Sequence, residues 1–279
     1  MLIDKDLALM TVTDSGFLLG TKVLLYSFYK YNPWFSGDCI IIETDLTDQE
    51  KAELGIFPNV VFQRPSAALV SRIQILAEYW PIAIKGEKQF YSLEAFRFME
   101  YEKVLYLDSD ILCVGDLSPI FSMKVEYPLF AVPDVLAKRG QIREKDTFIP
   151  RSNNDITSSK VYYKSFNSGV FMVHVNSLNP SCYLELVKAI SPILFSFNET
   201  RHTDQYVLNQ YFQNNVGFLP DKYNFLVHLE PEKRQSDDMM IDDIRILHYL
   251  ENNKPWKSAL SNNIYNVLWN EHYEELQRG

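Results

Sequence analysis

Two aspartates separated by one serine follow a short apolar segment and are the most chemically suggestive residues of the chain. The segment is Val104–Leu107, and Asp108-Ser109-Asp110 comes directly after it. An entirely apolar run of this length is typical of a strand buried on both faces of a parallel sheet. α/β sheets bind ligands at the carboxyl ends of such strands. Two carboxylates at that point favour a hard divalent cation as their ligand.

The aspartate pair is a weak signal in isolation. Aspartate is also common in solvated turns, where its side chain bonds to the local backbone. The pair alone therefore leaves two interpretations open, a cation site and an exposed turn.

The elements that would position this pair alternate between strands and helices. We predict strands at 7–12, 39–42, 60–62, 104–107, 170–175 and 244–249, and helices at 17–31, 47–55, 91–101, 183–190, 204–212 and 264–276. Thr47 and Glu50 form a capping-box pattern at the start of the second helix, and Gly55 ends it. This order predicts an α/β fold that opens with a nucleotide-binding βαβ unit. The chain has neither the GxGxxG motif of dinucleotide-binding proteins nor the GxxxxGK[ST] motif of P-loop proteins.

Length and composition favour one large α/β domain. The 279 residues are 47% hydrophobic, without repeats or Gly/Ser-rich linkers. The formal net charge of −9 argues against nucleic acid as a partner. Three cysteines, Cys39, Cys113 and Cys182, lie in apolar runs without a CxxC pair, so we expect buried free thiols and a cytoplasmic protein. No transmembrane segment is predicted, since no apolar run reaches the ~20 residues that cross a bilayer.

Five short segments carry further motifs in a fixed order along the chain. They are Thr11-Val12-Thr13-Asp14, Tyr101–Asp110 with its DxD, Phe166–Val170 (FNSGV), Asp204-Gln205 with Leu208-Asn209 (DQxxLN), and His248 with Lys254-Pro255-Trp256. These segments resemble, in the same order, the signature elements of the family 8 glycosyltransferases. That family includes glycogenin and the bacterial lipopolysaccharide galactosyl- and glucosyltransferases. The chain is identified as a member of it.

The resemblance implies a fold and a reaction. The fold is GT-A, a Rossmann-like α/β fold with a mixed, mostly parallel central sheet flanked by helices and a C-terminal helical tail. The single catalytic domain, 1–279, would comprise a nucleotide-binding half at about 1–115, a sugar and acceptor half at 116–256 and a C-terminal helix at 257–279. The reaction is transfer of a hexose, with retention of anomeric configuration, from UDP-glucose or UDP-galactose to an oligosaccharide or lipid-linked glycan acceptor.

The resemblance also implies a set of metal ligands, Asp108, Asp110 and His248. Two carboxylates and one imidazole suit Mn²⁺ better than Mg²⁺, although Mg²⁺ stays open. The cation would neutralise the diphosphate and clamp the leaving group. The alternative for His248 is a hydrogen-bonded histidine at the end of a strand.

The remaining implied contacts surround the donor. They are Thr11, Thr13, Asp14, Ser109 and Lys254 for the nucleotide, and Asn167, Asp204 and Gln205 for the sugar and the catalytic step. Helix capping is the alternative role for Thr13-Asp14 and for Asp204, and core packing is the alternative for Trp256. Because an amide is a poor nucleophile, we expect the acceptor to attack from the face that UDP leaves.

Two positions depart from the family pattern. Ser92 stands where the family has a basic residue, and Glu251 replaces the glycine of HxxGxxKPW. Either the Glu251 side chain points outward, or Lys88, Arg97 or the net-basic segment at 137–160 compensates for the charge. We expect that segment to form a mobile lid or an acceptor edge.

These departures leave alternatives to an active transferase. The main alternative is a UDP-sugar-binding protein of the same fold with little or no turnover. A phosphohydrolase is disfavoured because it would need further carboxylates. The C-terminal helix is expected to pack against the core. Its Glu271, Glu274 and Glu275 oppose docking on the inner face of a membrane, although peripheral contact there stays open.

Overall fold

The computed structural model describes residues 6–81, 85–134, 165–196, 203–213, 215–227, 241–250, 254–257 and 263–278. The segment at 137–160 and Glu251 lie outside the described residues. The strands are β1 (Leu7–Thr13), β2 (Asp38–Glu43), β3 (Val60–Gln63), β4 (Lys103–Leu107), β5 (Ile111–Cys113), β6 (Leu129–Pro133), β7 (Phe166–His174), β8 (Val216–Phe218), β9 (Phe225–Leu226) and β10 (Ile246–His248).

The α-helices are α1 (Leu18–Tyr31), α2 (Asp48–Leu54), α3 (Ala67–Tyr79), α4 (Ser118–Phe121), α5 (Cys182–Ala189), α6 (Pro192–Ser196), α7 (Asp204–Phe212) and α8 (Ile264–Arg278). Short 3-10 helices lie at Glu87–Phe96, Val175–Ser177, Asp221–Tyr223 and Ile241–Asp243. Among the described residues, no helix is both long and apolar enough to span a membrane.

The strands form a seven-stranded and a three-stranded sheet. The large sheet has the order β3-β2-β1-β4-β7-β6-β8. Within it, β7 runs antiparallel to its neighbours β4 and β6, and all the other pairs are parallel. The prediction of a mixed, mostly parallel α/β fold is therefore confirmed.

Strand β4 lies at the centre of the large sheet and is buried on both sides. Val104 and Tyr106 belong to one apolar cluster, and Leu105 and Leu107 belong to the cluster on the opposite face. All four side chains are at most 2% exposed. Because helices cover both faces, this strand needs no polar side, as its sequence predicts.

The small sheet has the order β5-β10-β9 and forms a third apolar cluster with the C-terminal helix. Trp269 of α8 is 2% exposed, and α8 packs against α1, where Lys30 and Glu275 lie 2.5 Å apart. The C-terminal helix thus packs on the core, as predicted. The capping box of Thr47 and Glu50 is also confirmed.

One predicted helix is wrong in extent and type. The segment expected to be helical over 91–101 is a 3-10 helix at Glu87–Phe96. The chain has to turn before β4, because the Glu102 amide donates to the Asp6 carbonyl at 2.7 Å and the Tyr101 hydroxyl donates to Asp38 at 2.7 Å. These contacts hold residues 97–102 in tight turns and end the helix early.

His174, the last residue of β7, lies inside the core opposite Lys103 of β4. Its side chain is 1% exposed, and neither ring nitrogen has a hydrogen-bond partner among the described residues. Burial, together with the charge of Lys103, lowers the pKa of His174 to about 4. The unfolded chain therefore binds a proton on this histidine at higher pH than the folded protein does, which destabilises the fold as the pH falls.

We predict that His174→Leu makes the stability less sensitive to acid. The lowered pKa of His174, about 4, should cost the wild type about 2 kcal/mol of unfolding free energy between about pH 8 and about pH 5. The variant should not lose this part. Urea denaturation of both proteins across that range measures the difference, and parallel profiles would contradict the assignment.

Candidate active site

The two sheets bring three potential metal ligands together at the carboxyl end of β4. Asp108 follows β4, Asp110 precedes β5, and His248 ends β10. Antiparallel pairing of β5 with β10 places His248 opposite Ile111, next to Asp110. His248 Nε2 lies 3.1 Å from Asp110 Oδ1 and 3.5 Å from Asp108 Oδ2. One ligand atom from each residue lies within 4.8 Å of the others, which allows a single cation to contact all three.

The charges in this cluster are unevenly balanced. Partial burial and the neighbouring Asp110 raise the pKa of Asp108, against the lowering effects of His248 and of the Tyr106 hydroxyl. Burial alone would raise the pKa of Asp110 as well, but contacts with His248 and Lys254 lower it. The Lys254 ammonium donates directly to Asp110 Oδ2 and to the Tyr249 carbonyl. Asp110 is thus held as a carboxylate, whereas the ionised form of Asp108 lacks comparable compensation.

Two buried atoms of the cluster have unused bonding capacity. Asp110 Oδ1 and His248 Nε2 make no hydrogen bond of acceptable geometry with the described residues. Such atoms are costly when they are buried without a partner. A cation placed between them would satisfy both, and the donor set of two carboxylates and one imidazole fits a divalent metal ion. These residues therefore fit a divalent metal better than they fit an exposed turn.

Gly169 leaves the space that this cluster needs. Antiparallel pairing of β4 with β7 sets Leu107 opposite Val170, and the Asp108 amide donates to the Gly169 carbonyl at 2.9 Å. A Cβ atom on Gly169 would lie 2.3 Å from His248 Cε1 and 2.8 Å from Asp108 Oδ2. A glycine is thus required here by close approach.

The cluster forms part of the wall of a cavity of about 490 Å³, a volume within the range of small-molecule sites. The lining residues come from the end of β1 and the turn after it, from the 3-10 helix before β4, and from the region where the large sheet meets the small one. They are Val12, Thr13, Asp14, Phe17, Lys85, Gly86, Glu87, Lys88, Gln89, Tyr106, Asp108, Ser109, Asp110, His248, Leu250 and Lys254.

The residues predicted to contact the nucleotide occupy two different environments. Thr13, Asp14, Ser109 and Lys254 line the cavity. Thr11 does not line it, because its side chain is fully buried within β1. Any contact from Thr11 would have to involve its backbone. Its role and those of the other four residues stay predictions.

Asp14 belongs both to the turn before α1 and to a charged bridge at the cavity rim. Its Oδ1 accepts from the Phe17 amide at 2.9 Å in that turn, and Phe17 itself takes the N-cap position, so the predicted alternative of a helix-capping side chain is not found for Asp14. Its Oδ2 accepts from Lys88 Nζ at 2.7 Å, and the same ammonium donates to Asp45 at 3.0 Å. Lys88 therefore does lie at the cavity. Arg97 instead pairs with Glu94 at 2.5 Å and does not line it.

The residues predicted to surround the donor sugar lie beside the cluster and do not line the cavity. Asn167 donates to Gln205 Oε1 at 3.2 Å, and Gln205 donates to Asp134 at 3.2 Å. Asp204 is 7% exposed and accepts from the Ser92 hydroxyl at 2.8 Å. Burial raises the pKa of Asp204 in spite of such hydrogen bonds. Thr203 takes the helix N-cap position, and Asp204 is the first residue of α7.

Sequence reasoning missed two residues of this region. The Tyr106 hydroxyl donates to Asp108 Oδ1 at 2.7 Å and faces the cavity. Asn224, which is fully buried, contacts His248 Nδ1 at 2.9 Å. A sequence signal existed for Tyr106, since a tyrosine two residues before Asp108 on a strand lies on the same face and can place its hydroxyl beside the carboxylate. There was no such signal for Asn224. Trp256 packs between Phe17 and Trp269, which supports its alternative role in packing.

The mixed α/β sheet, with a carboxylate–imidazole cluster at the end of its central strand, matches the GT-A fold of known glycosyltransferases. A sequence profile described as glycosyl transferase family 8 matches residues 8–259, and the chain belongs to this family. The prediction of the family is thus confirmed.

Three known proteins illustrate the relationship. The chain is 27% identical over 269 residues to glycosyltransferase GlyF of Streptococcus pneumoniae serotype 4 (strain ATCC BAA-334 / TIGR4), covering 94% of this chain and 60% of GlyF. It is 26% identical over 204 residues to a lipopolysaccharide 1,2-glucosyltransferase of Escherichia coli, covering 67% and 56%. The crystal structure of the galactosyltransferase LgtC with donor and acceptor sugar analogues matches with a TM-score of 0.70 at 18% identity, covering 96% and 95%. The chain thus spans less than two thirds of the two curated relatives.

We predict that Gly169→Ala disrupts the cluster. The added methyl group would overlap with His248 at 2.3 Å and should lower the unfolding free energy by about 1–3 kcal/mol. Gly55→Ala is the matched control, since Gly55 ends α2 with an ordinary φ of −67°. Urea denaturation and a crystal structure of Gly169→Ala provide the measurement. Wild-type stability with an undisplaced imidazole would show that the close approach is not required.

Proposed function

We propose that the protein transfers glucose or galactose from a UDP-linked donor to a glycan or lipopolysaccharide-type acceptor, with retention of anomeric configuration and with assistance from Mn²⁺. The observation that carries this proposal is the convergence of Asp108, Asp110 and His248 on the cavity wall. Membership of family 8 supplies the reaction class. The buried free thiols of Cys39, Cys113 and Cys182 agree with a reducing compartment such as the cytoplasm.

The charge of the cavity supports the need for a divalent cation. Its lining includes four acidic residues, Asp14, Glu87, Asp108 and Asp110, and three lysines, Lys85, Lys88 and Lys254. The lining charge is therefore −1 with neutral histidine, which would repel a diphosphate. When bound at the cluster, a divalent cation reverses this sign and acts as a Lewis acid on the leaving diphosphate.

The lining residues suggest how the chain holds the nucleotide part of the donor. Lys254 brings a positive charge to the cavity wall beside Asp110, where it would attract phosphate oxygens. Thr13, Asp14 and Ser109 present hydroxyl, carboxylate and backbone groups to the same space. We assign the uridine to the β1 end of the cavity and the diphosphate to the cluster end. This assignment follows the proposed division into a nucleotide-binding half and a sugar half within one catalytic domain.

The arrangement of Asp204 and Gln205 favours direct, same-face transfer. The Gln205 carbonyl oxygen already accepts from Asn167 at 3.2 Å and from the Ser168 amide at 3.4 Å, which reduces its nucleophilicity further. Asp204 is buried, has a raised pKa and accepts from Ser92. Both side chains are therefore better suited to orient sugar hydroxyls than to attack the anomeric carbon. The acceptor would attack while the departing diphosphate takes its proton.

The identities of donor and acceptor are inferred from the relatives. One relative is a lipopolysaccharide glucosyltransferase, and one structural neighbour is a galactosyltransferase. Both names point to a hexose donor, and the first points to a lipopolysaccharide-type acceptor. The alternative that the sequence leaves open is a binding protein with little turnover, since Ser92 stands where the family has a basic residue.

We predict that UDP release from a panel of UDP-sugars is highest with UDP-glucose or UDP-galactose and requires Mn²⁺. Asp110→Asn should lower kcat/KM at least about 100-fold, equivalent to about 2.7 kcal/mol, because it removes a ligand of the cation. Asp48→Asn, in the exposed first turn of α2, is the matched control. Donor binding without UDP release by the wild type would favour the binding protein, and absence of Mn²⁺-assisted UDP binding would refute the proposal.

We also predict that no covalent sugar–enzyme intermediate forms. Enzyme quenched during turnover should keep its unmodified mass in mass spectrometry, and the product should retain the anomeric configuration of the donor. A slow donor such as a fluorinated UDP-sugar extends the time available for trapping. A hexose adduct on Asp204 or Gln205 would overturn the same-face mechanism.

A further inference from the structure

A continuous chain of side-chain hydrogen bonds runs from His248 away from the cavity. His248 Nδ1 lies 2.9 Å from Asn224 Oδ1, and Asn224 Nδ2 lies 2.8 Å from Asn167 Oδ1. The chain continues from Asn167 to Gln205 at 3.2 Å and from Gln205 to Asp134 at 3.2 Å. It therefore joins a proposed metal ligand to the residues proposed to surround the donor sugar.

Groups that can only donate or only accept a hydrogen bond fix the direction of every bond in this chain. The Gly169 amide donates to Asn167 Oδ1 at 2.9 Å, and the Ser168 amide donates to Gln205 Oε1 at 3.4 Å. A backbone N–H cannot accept, so these oxygens are the acceptors. The carboxylate of Asp134 accepts at the far end, which requires Gln205 to present its NH₂ group there. Both amides are thereby oriented without reference to the histidine.

This orientation determines which nitrogen of His248 carries the proton. Because Asn167 Oδ1 is an acceptor, Asn224 must direct its NH₂ group toward it. The Asn224 carbonyl oxygen then faces His248 Nδ1, which has to be the protonated nitrogen. The lone pair of a neutral imidazole then lies on Nε2, facing carboxylate oxygens of Asp110 at 3.1 Å and Asp108 at 3.5 Å, an arrangement that is favourable only when a cation lies between them. This is the tautomer that a metal ligand at Nε2 requires.

We propose that Asn224 is a positioning residue that locks His248 in the Nδ1–H tautomer and links the cation cluster to Asn167 and Gln205. The inference rests on the proposed function, in which His248 Nε2 binds the cation. Asn224 suits this role because it is fully buried and directly precedes β9, whose parallel pairing with β10 sets Leu226 opposite His248. The same side chain bonds at both ends, so a displacement of the imidazole is transmitted to the amides beside the sugar site.

The decisive experiment compares Asn224→Ala with Asn32→Ala in the full chain. Asn32 is also fully buried and also makes two hydrogen bonds, to the Phe28 carbonyl and from the Leu117 amide, but it does not line the cavity. The first readout is the tautomer of His248 without metal, at a pH high enough to make its imidazole neutral, from ¹⁵N spectra of histidine-labelled protein, assigned by the signal that His248→Gln removes. The second is the affinity for Mn²⁺ in the presence of UDP, from calorimetry.

We expect His248 to be Nδ1–H in the wild type and in Asn32→Ala, and to lose that preference in Asn224→Ala. The Mn²⁺ affinity should fall about 10- to 100-fold in Asn224→Ala and stay near the wild-type value in Asn32→Ala. An unchanged tautomer or affinity in Asn224→Ala, or an equal loss in the control, would overturn the inference. A wild type with the expected tautomer but no Mn²⁺ binding would instead refute the proposed function.

Asn224→Asp tests the bond to His248 separately from the bond to Asn167. It also tests the proposal if the alanine variant does not fold. Its carboxylate still accepts from His248 Nδ1, so the tautomer should be retained. It cannot donate to Asn167 Oδ1, and the two oxygens would repel each other. We therefore expect Mn²⁺ affinity within about tenfold of the wild type, together with weaker binding of the UDP-sugar relative to UDP. Loss of the Nδ1–H tautomer in this variant would contradict the proposed role.

Discussion

The site depends on keeping two carboxylates close together at the end of a buried strand. Two like charges a few ångströms apart repel each other by about 1–4 kcal/mol, depending on solvation. The protein offsets this unevenly, with Lys254 and His248 beside Asp110 and the Tyr106 hydroxyl on Asp108. The Asp108 side chain remains 38% exposed, on the side open to the cavity. The residual negative charge therefore faces the space where a cation and a diphosphate would enter.

The reversed strand β7 is what lets the sheet assemble this site. Because β7 runs antiparallel to β4, its first residues lie beside the last residues of β4. Asn167 and Gly169 are two positions apart and so lie on the same face of β7. The small sheet contributes His248 by the same logic, since β10 is antiparallel to β5. An entirely parallel sheet would place the equivalent residues at the opposite edge.

Strong local sequence patterns predicted the main strands and helices. Elements that depend on tertiary contacts were missed, because their local patterns are weak. The apolar run of β4 and the capping box at Thr47 are local signals, and both appear as expected. Helix α3 was not predicted, although it has an N-cap at Ser66. Strands β5 and β9 have three and two residues, too short for a periodic pattern, and both exist because they pair with β10, which lies within the predicted strand at 244–249. Asn224 could not be found, because its significance lies only in its distance to His248.

The environment of Ser92 in the structure changes the interpretation of its departure from the family pattern. In the sequence it indicates a lost contact to the diphosphate. In the structure Ser92 is fully buried, does not line the cavity and donates to Asp204. A basic side chain there would form a buried ion pair with that carboxylate, at a considerable desolvation cost. A hydroxyl instead matches a carboxyl group whose pKa burial already raises.

The substitution therefore acts on the charge of Asp204 more directly than on the phosphates. The positive charge at the cavity comes from other segments, through Lys85, Lys88 and Lys254. Since Asp204 belongs to the proposed sugar side, the effect of Ser92 should fall on how the hexose is held, and only secondarily on how the nucleotide binds. This is the reason why the departure at Ser92 does not by itself argue against turnover.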